Sequence, residues 1–66
     1  MLKPDIKPGD ILIMKGYKAY EVIDGEAYSY NEGDLTVNEV DEDNQRIGNP
    51  QELKIKVSNP VIDVIR

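Results

Sequence analysis

Tyr17, Tyr20, Tyr28 and Tyr30 supply all the aromatic content of this 66-residue chain, and they stand close together in the first half. A tyrosine ring is a rigid, amphipathic contact group, which makes it a frequent anchor of binding surfaces. It is also the bulkiest apolar group available to a core that has neither Phe nor Trp. Each of the four is therefore a candidate for a partner surface and for the interior. Lys15-Gly16-Tyr17-Lys18-Ala19-Tyr20 interleaves basic and aromatic side chains. That mixture suits single-stranded nucleic acid, whose backbone attracts ammonium groups and whose bases stack on rings. Lys54 and Lys56 could extend such a patch, although lysines on the solvent side of strands also serve simply as edge protection.

A second constellation is acidic, with Glu39 followed by Asp41-Glu42-Asp43. Asp41, Asp43, Gln45 and Glu52 have the relative spacing of four ligands in a helix-flanked calcium loop. Arg46 stands where that loop needs glycine, Pro50 intrudes, and the flanks read as strands, so no metal is expected. The acids could instead mimic nucleic-acid phosphates toward a basic partner. Catalysis has little to draw on. The chain has no histidine and no cysteine, no phosphate-binding Gly-rich loop and no serine in a nucleophile setting. Paired carboxylates need an enclosing pocket that so short a chain seldom forms. The expectation is a non-enzymatic protein without a cofactor.

The net charge of −5 opposes non-specific attraction to phosphate backbones and favours solubility. With no cysteine, no signal peptide and no apolar run near about 18 residues, a soluble cytoplasmic protein without a membrane span is expected. A chain of 66 residues has room for one domain, taken as 1–66, with one thin core.

The elements that must position these side chains read as strands. No long window carries apolar residues at helical spacing without Gly or Pro interrupting. Residues 1–8 read as an extended lead-in ending at Pro8-Gly9. Ile11 to Met14 is a continuous apolar run, as in a strand covered on both faces. Ala19 to Ile23 leads to Asp24-Gly25, a strong hairpin signal that would set Val22 opposite Ala27, Glu21 opposite Tyr28, and Tyr28 and Tyr30 on one strand face. Leu35 and Val37 alternate with polar neighbours; Val40 breaks the parity, which a bulge near Asn38 or Glu39 would restore. A two-residue turn at Asp43-Asn44 would pair Asp41 with Arg46 and Val40 with Ile47. Asn49, Pro50 and Glu52 carry the signature of a capped helical turn. Leu53, Ile55 and Val57 alternate with lysines, and Val61 to Ile65 supplies a last strand after Asn59-Pro60. The fold class expected is all-β: a small five- or six-stranded barrel or related β-sandwich with one short helical turn.

Lys7-Pro8-Gly9-Asp10-Ile11, Gly33-Asp34-Leu35-Thr36-Val37 and Pro60-Val61-Ile62-Asp63-Val64-Ile65 resemble the strand entries and final strand of SH3-like small barrels. Ala27-Tyr28-Ser29-Tyr30 is similar to the Ala-Leu-Tyr-Asp-Tyr ligand-contacting stretch of eukaryotic SH3 domains. The resemblance implies an SH3-like fold with tyrosines in its contact surface. Without a tryptophan it does not imply a groove for proline-rich peptides. Function is expected to be protein binding or regulation through Lys15, Tyr17, Lys18, Tyr20, Tyr28 and Tyr30. The partner would be a protein of unknown identity, and the chain a monomer or small homo-oligomer. A phage- or prophage-type accessory factor or inhibitor fits the chain length. A single-stranded nucleic acid binder, a structural connector subunit and an acidic nucleic-acid mimic are the other readings.

Overall fold

Short runs of β-branched and apolar residues bounded by Gly, Pro, Asn and Asp make extended segments whose tight turns force antiparallel neighbours. In the computed structural model, which describes residues 5–65, the segments are β1 (Ile11–Met14), β2 (Ala19–Asp24), β3 (Gly33–Glu39), β4 (Gln51–Ile55) and β5 (Val61–Ile65). They form a single antiparallel sheet of order β4-β3-β2-β1-β5. The first four strands are a meander, and the fifth returns to pair with the first. No helix forms among the described residues. Residues 1–4 of the expected lead-in lie outside the described residues.

Register decides which side chains meet. Leu12 lies opposite Tyr20 on one side and Val64 on the other, Val22 opposite Val37, and Leu35 opposite Leu53. These pairs place Leu12, Met14, Tyr20, Val22, Leu35, Val37, Ile55 and Val61 in one buried cluster. Two residues from outside the strands complete it. Ile6 and Ala27 exchange a reciprocal pair of backbone hydrogen bonds, each 3.0 Å, and both are buried. Full burial of a side chain the size of Ile6 contributes about 1.5–3 kcal/mol, and the Ala27 methyl correspondingly less. The lead-in is thus more than a tail, since Ile6 is wholly buried.

The sheet curls without closing into a barrel. Beyond the ladders, the Val61 amide donates to the Tyr30 carbonyl at 2.9 Å, joining the approach to β3 to the start of β5. No ladder joins β4 to β5 among the described residues.

Four local expectations are corrected. Asp24-Gly25 is not a two-residue hairpin: β2 pairs with β3 across a connection spanning residues 25–32, and Ala27 pairs with Ile6 rather than Val22. The observed register buries Val22 opposite Val37 and Ala27 against the lead-in, and in sheets apolar burial of this kind overrides a local turn preference. Consequently Tyr28 and Tyr30 occupy no strand and share no strand face. The expected bulge near Asn38 or Glu39 is absent: β3 runs in unbroken register there, the register shift lies between Val22 and Asp24 on β2, and Val40 falls outside the main core cluster, on the groove side with Ala19. The expected helical turn is absent, because Gln51 and Glu52 pair with Val37 and Thr36 as the start of β4. One turn of helix gains little against a ladder already nucleated by Leu53 and Ile55. The turn at Asp43-Asn44 is one residue longer than expected and pairs Val40 with Arg46. Asn44 adopts φ 61, and Asp41 Oδ1 accepts from the Asp43 and Gln45 amides at 2.9 and 3.0 Å, which fixes the longer loop.

Candidate partner-binding surface

The turn between β1 and β2 is built by two hydrogen bonds. The Tyr17 amide donates to the Met14 carbonyl at 2.8 Å, and the Met14 amide donates to the Lys18 carbonyl at 2.9 Å. Closing it requires positive φ at two successive residues, 94 at Gly16 and 65 at Tyr17. Gly16 adopts this without cost, but for a bulky L-residue the left-handed region costs on the order of 1–2 kcal/mol. That strain carries the Tyr17 ring outward, where it is 84% exposed.

The arm that faces this turn extends from the end of β3. The Val40 amide donates to the Ala19 carbonyl at 3.0 Å, and the Ile47 amide donates to the Glu39 carbonyl at 2.8 Å. Buried Asn38 ties the two sides of the arm together, its Nδ2 donating to the carbonyls of Glu39 and Ile47 at 3.0 and 3.1 Å. Arg46 on the returning side donates from Nε to Glu21 Oε1 of β2 at 2.9 Å. Chiefly through that hydrogen bond Arg46 holds the Glu21 carboxyl below the usual glutamate range; desolvation opposes this, and the Arg46 charge adds a lesser lowering.

Between the turn and the arm lies an open groove of about 520 Å³. Ile13, Ala19, Val40, Ile47 and Ile65 give it apolar lining, and Tyr17 stands at its lip. Ile13 and Ala19 are partners in the β1–β2 ladder, on the side of the sheet opposite buried Leu12 and Met14. Ile47 and Ile65 remain 43% and 46% exposed, so the apolar lining is open to solvent. Glu39, Asp41 and Glu42 line the same groove, against one lysine, Lys18.

The six candidate residues do not converge. Tyr17 and Lys18 line the groove, and Lys15 is exposed in the same turn. Tyr20 packs in the core, where its ring supplies the bulk that Phe or Trp would otherwise provide, and so leaves the surface set. Tyr28 and Tyr30 lie in the connection 25–32, exposed but outside this groove; Tyr28 Oη donates to Glu26 Oε2 at 3.3 Å. Lys54 pairs with Asp34 near the opposite end of the sheet, far along the strands from Lys15 and Lys18. Sequence reasoning missed Ile13, Ala19, Ile47 and Ile65. Their signal was an excess of apolar residues over what one thin core can bury, especially Ile65 in a strand that also supplies Val61 and Val64 to the interior.

A second groove, of about 540 Å³, is lined by Asp24, Asp34, Glu52 and Lys54 among others at the far end of the sheet. Among the described residues no three His, Cys, Asp or Glu side chains converge to hold a metal ion. No helix among them is long and apolar enough to cross a membrane. Comparison with known protein families, with curated proteins and with solved structures finds no match.

Proposed function

We propose that this chain is a non-enzymatic protein-binding module whose contact surface is the groove between the β1–β2 turn and the Val40–Ile47 arm. One observation carries the reading: a tyrosine held at φ 65 and 84% exposed at the lip of an apolar groove. Backbone strain at an exposed aromatic gives the isolated chain nothing, and such outliers concentrate where a side chain has a task outside its own fold. A rigid ring beside partly exposed isoleucines has the composition of an interface anchor. The meander whose last strand returns to the first supports reading the domain as an open variant of an SH3-like small barrel. Such scaffolds carry many unrelated activities, so the fold alone does not select one.

The test is affinity capture from a lysate of the producing cells, with wild type compared against Tyr17→Gly and Ile47→Asp. Both variants change exposed positions and should retain wild-type circular dichroism. A protein enriched by wild type and lost by both supports the module. Equal capture by all three moves the contact surface elsewhere. A multimer by light scattering that both variants dissolve would replace the module with a self-assembling subunit.

A further inference from the structure

We infer that the segment accepted by this groove is a basic, apolar stretch of a partner protein, with Lys or Arg alternating with aliphatic side chains, rather than a second copy of this chain or a nucleic acid. The inference rests on the protein-binding reading and adds the chemistry of the ligand.

The apolar floor asks for aliphatic side chains. Ile47 and Ile65 gain most from being covered, since each leaves nearly half its surface in water. A groove of about 520 Å³ lies within the range that holds a few side chains of a ligand, about 300–1,000 Å³. The wall sets the sign of the charge. Among the described residues, Glu39 and Glu42 make no side-chain hydrogen bond or ion pair, and Arg46, which could have neutralised the arm, is engaged by Glu21. Asp41 turns one oxygen into its own loop, accepting from the Asp43 and Gln45 amides. Asp41 and Glu42 therefore set two carboxylates along the groove against the single ammonium of Lys18, Glu39 lying opposite Tyr20 on the core side of the sheet. A phosphate backbone would meet this wall as a like charge. A second copy would bring the same wall and another net charge of −5, and like charges set face to face across an interface are costly. Cationic side chains set between aliphatic ones satisfy floor and wall together.

The experiment is an amide-resolved NMR titration of the whole chain at low salt with three probes. These are the capped peptide Lys-Leu-Lys-Leu-Lys, its neutral analogue Ser-Leu-Ser-Leu-Ser, and a deoxythymidine decamer. The basic peptide should shift the amides of Ile13, Tyr17, Ala19, Ile47 and Ile65, and lose affinity as salt rises. Glu42→Gln should bind it about two- to five-fold more weakly, from one partly exposed ion pair, whereas Glu39→Gln, on the other face of the sheet, should leave binding nearly unchanged. Ile47→Ser, which keeps the carboxylates, should weaken it as well. Equal binding of the neutral peptide in the groove overturns the basic-segment inference while leaving the protein-binding reading standing. Oligonucleotide shifts at Lys15, Tyr17 and Lys18 overturn both. Shifts of the groove amides with protein concentration alone, before any probe is added, identify a second copy as occupant and overturn the inference. So does the absence of groove shifts with every probe.

Discussion

Replacing Tyr17 by glycine separates what the ring does for a partner from what the backbone endures to present it. At φ 65 the tyrosine carries a left-handed penalty of about 1–2 kcal/mol that glycine does not. Glycine gives back about 0.5–1 kcal/mol through the greater freedom of the unfolded chain. The ring is 84% exposed, so truncating it removes only a small part of the 150–250 Å² an aromatic can bury, worth about 0.6–1 kcal/mol at 25 cal/mol per Å². The three contributions nearly cancel, and Tyr17→Gly should fold with a stability within about 1 kcal/mol of wild type. Tyr17→Ala loses the same contact but keeps a side chain at positive φ, so it should be less stable than Tyr17→Gly by about 1 kcal/mol, or about 4–8 °C in Tm for a domain of this size. Both variants should lose the partner by tenfold or more, as expected for a central aromatic anchor. Urea and thermal unfolding followed by circular dichroism give the stabilities, and titration with the captured partner gives the affinities. An alanine variant as stable as the glycine variant would refute the strain argument. A glycine variant destabilised by more than about 2 kcal/mol would show that Tyr17 supports the fold rather than presenting a surface.

Three further outcomes follow from other positions. Asn38→Asp would set a buried carboxylate against the Glu39 and Ile47 carbonyls; the folded-state pKa of that group is raised, so the variant should be destabilised by at least about 1–3 kcal/mol at neutral pH and recover as pH falls, measured by urea unfolding from pH 7 to pH 4. Gly33→Ala brings a new Cβ to 2.8 Å from the Ala27 Cβ; an overpacking cost of about 1–3 kcal/mol is expected, and adding Ala27→Gly should recover part of it in the same melting assay. Glu21 should titrate below the usual glutamate range in a carboxyl NMR titration, and Arg46→Ala should return it to that range. Because its folded pKa is lowered, the stabilisation from this pair is present above the ordinary glutamate range and is lost as pH falls through the folded value, so an unchanged midpoint in the Arg46 variant would rule out the pair as its cause.

The unpaired carboxylates also bear on how the arm keeps its shape. Glu39 and Glu42 add like charge to a short hairpin that already spends Asp41 on its turn. Asn38 compensates from beneath by bonding a carbonyl on each side of the arm. A neutral amide is suited to that place, since it donates twice without adding charge to an acidic arm. The groove wall is thereby held by a side chain that never reaches the groove.

Periodicity and turn chemistry in the sequence were enough to place most of the strands. Ile11 to Met14 is continuous because the alternate residues of β1 face the core and the groove side, burying Leu12 and Met14 and half-burying Ile11 and Ile13. Leu35 and Val37 alternate because only one face of β3 meets the core, and Val61 to Ile65 is extended as its composition requires. What the sequence left open was every choice between two chemically sensible partners. Ala27 could face Val22 across a tight turn or Ile6 across the lead-in; Gln51 and Glu52 could begin a helical turn or extend a ladder opposite Val37 and Thr36. Tyr17 and Tyr20 have the same composition and neighbouring positions, yet one lies in the core and the other is almost wholly exposed. Strand formation is a local property of side-chain period and turn residues, whereas pairing and register are set by which distant surfaces gain most from mutual burial. That competition is resolved only when the whole sheet forms.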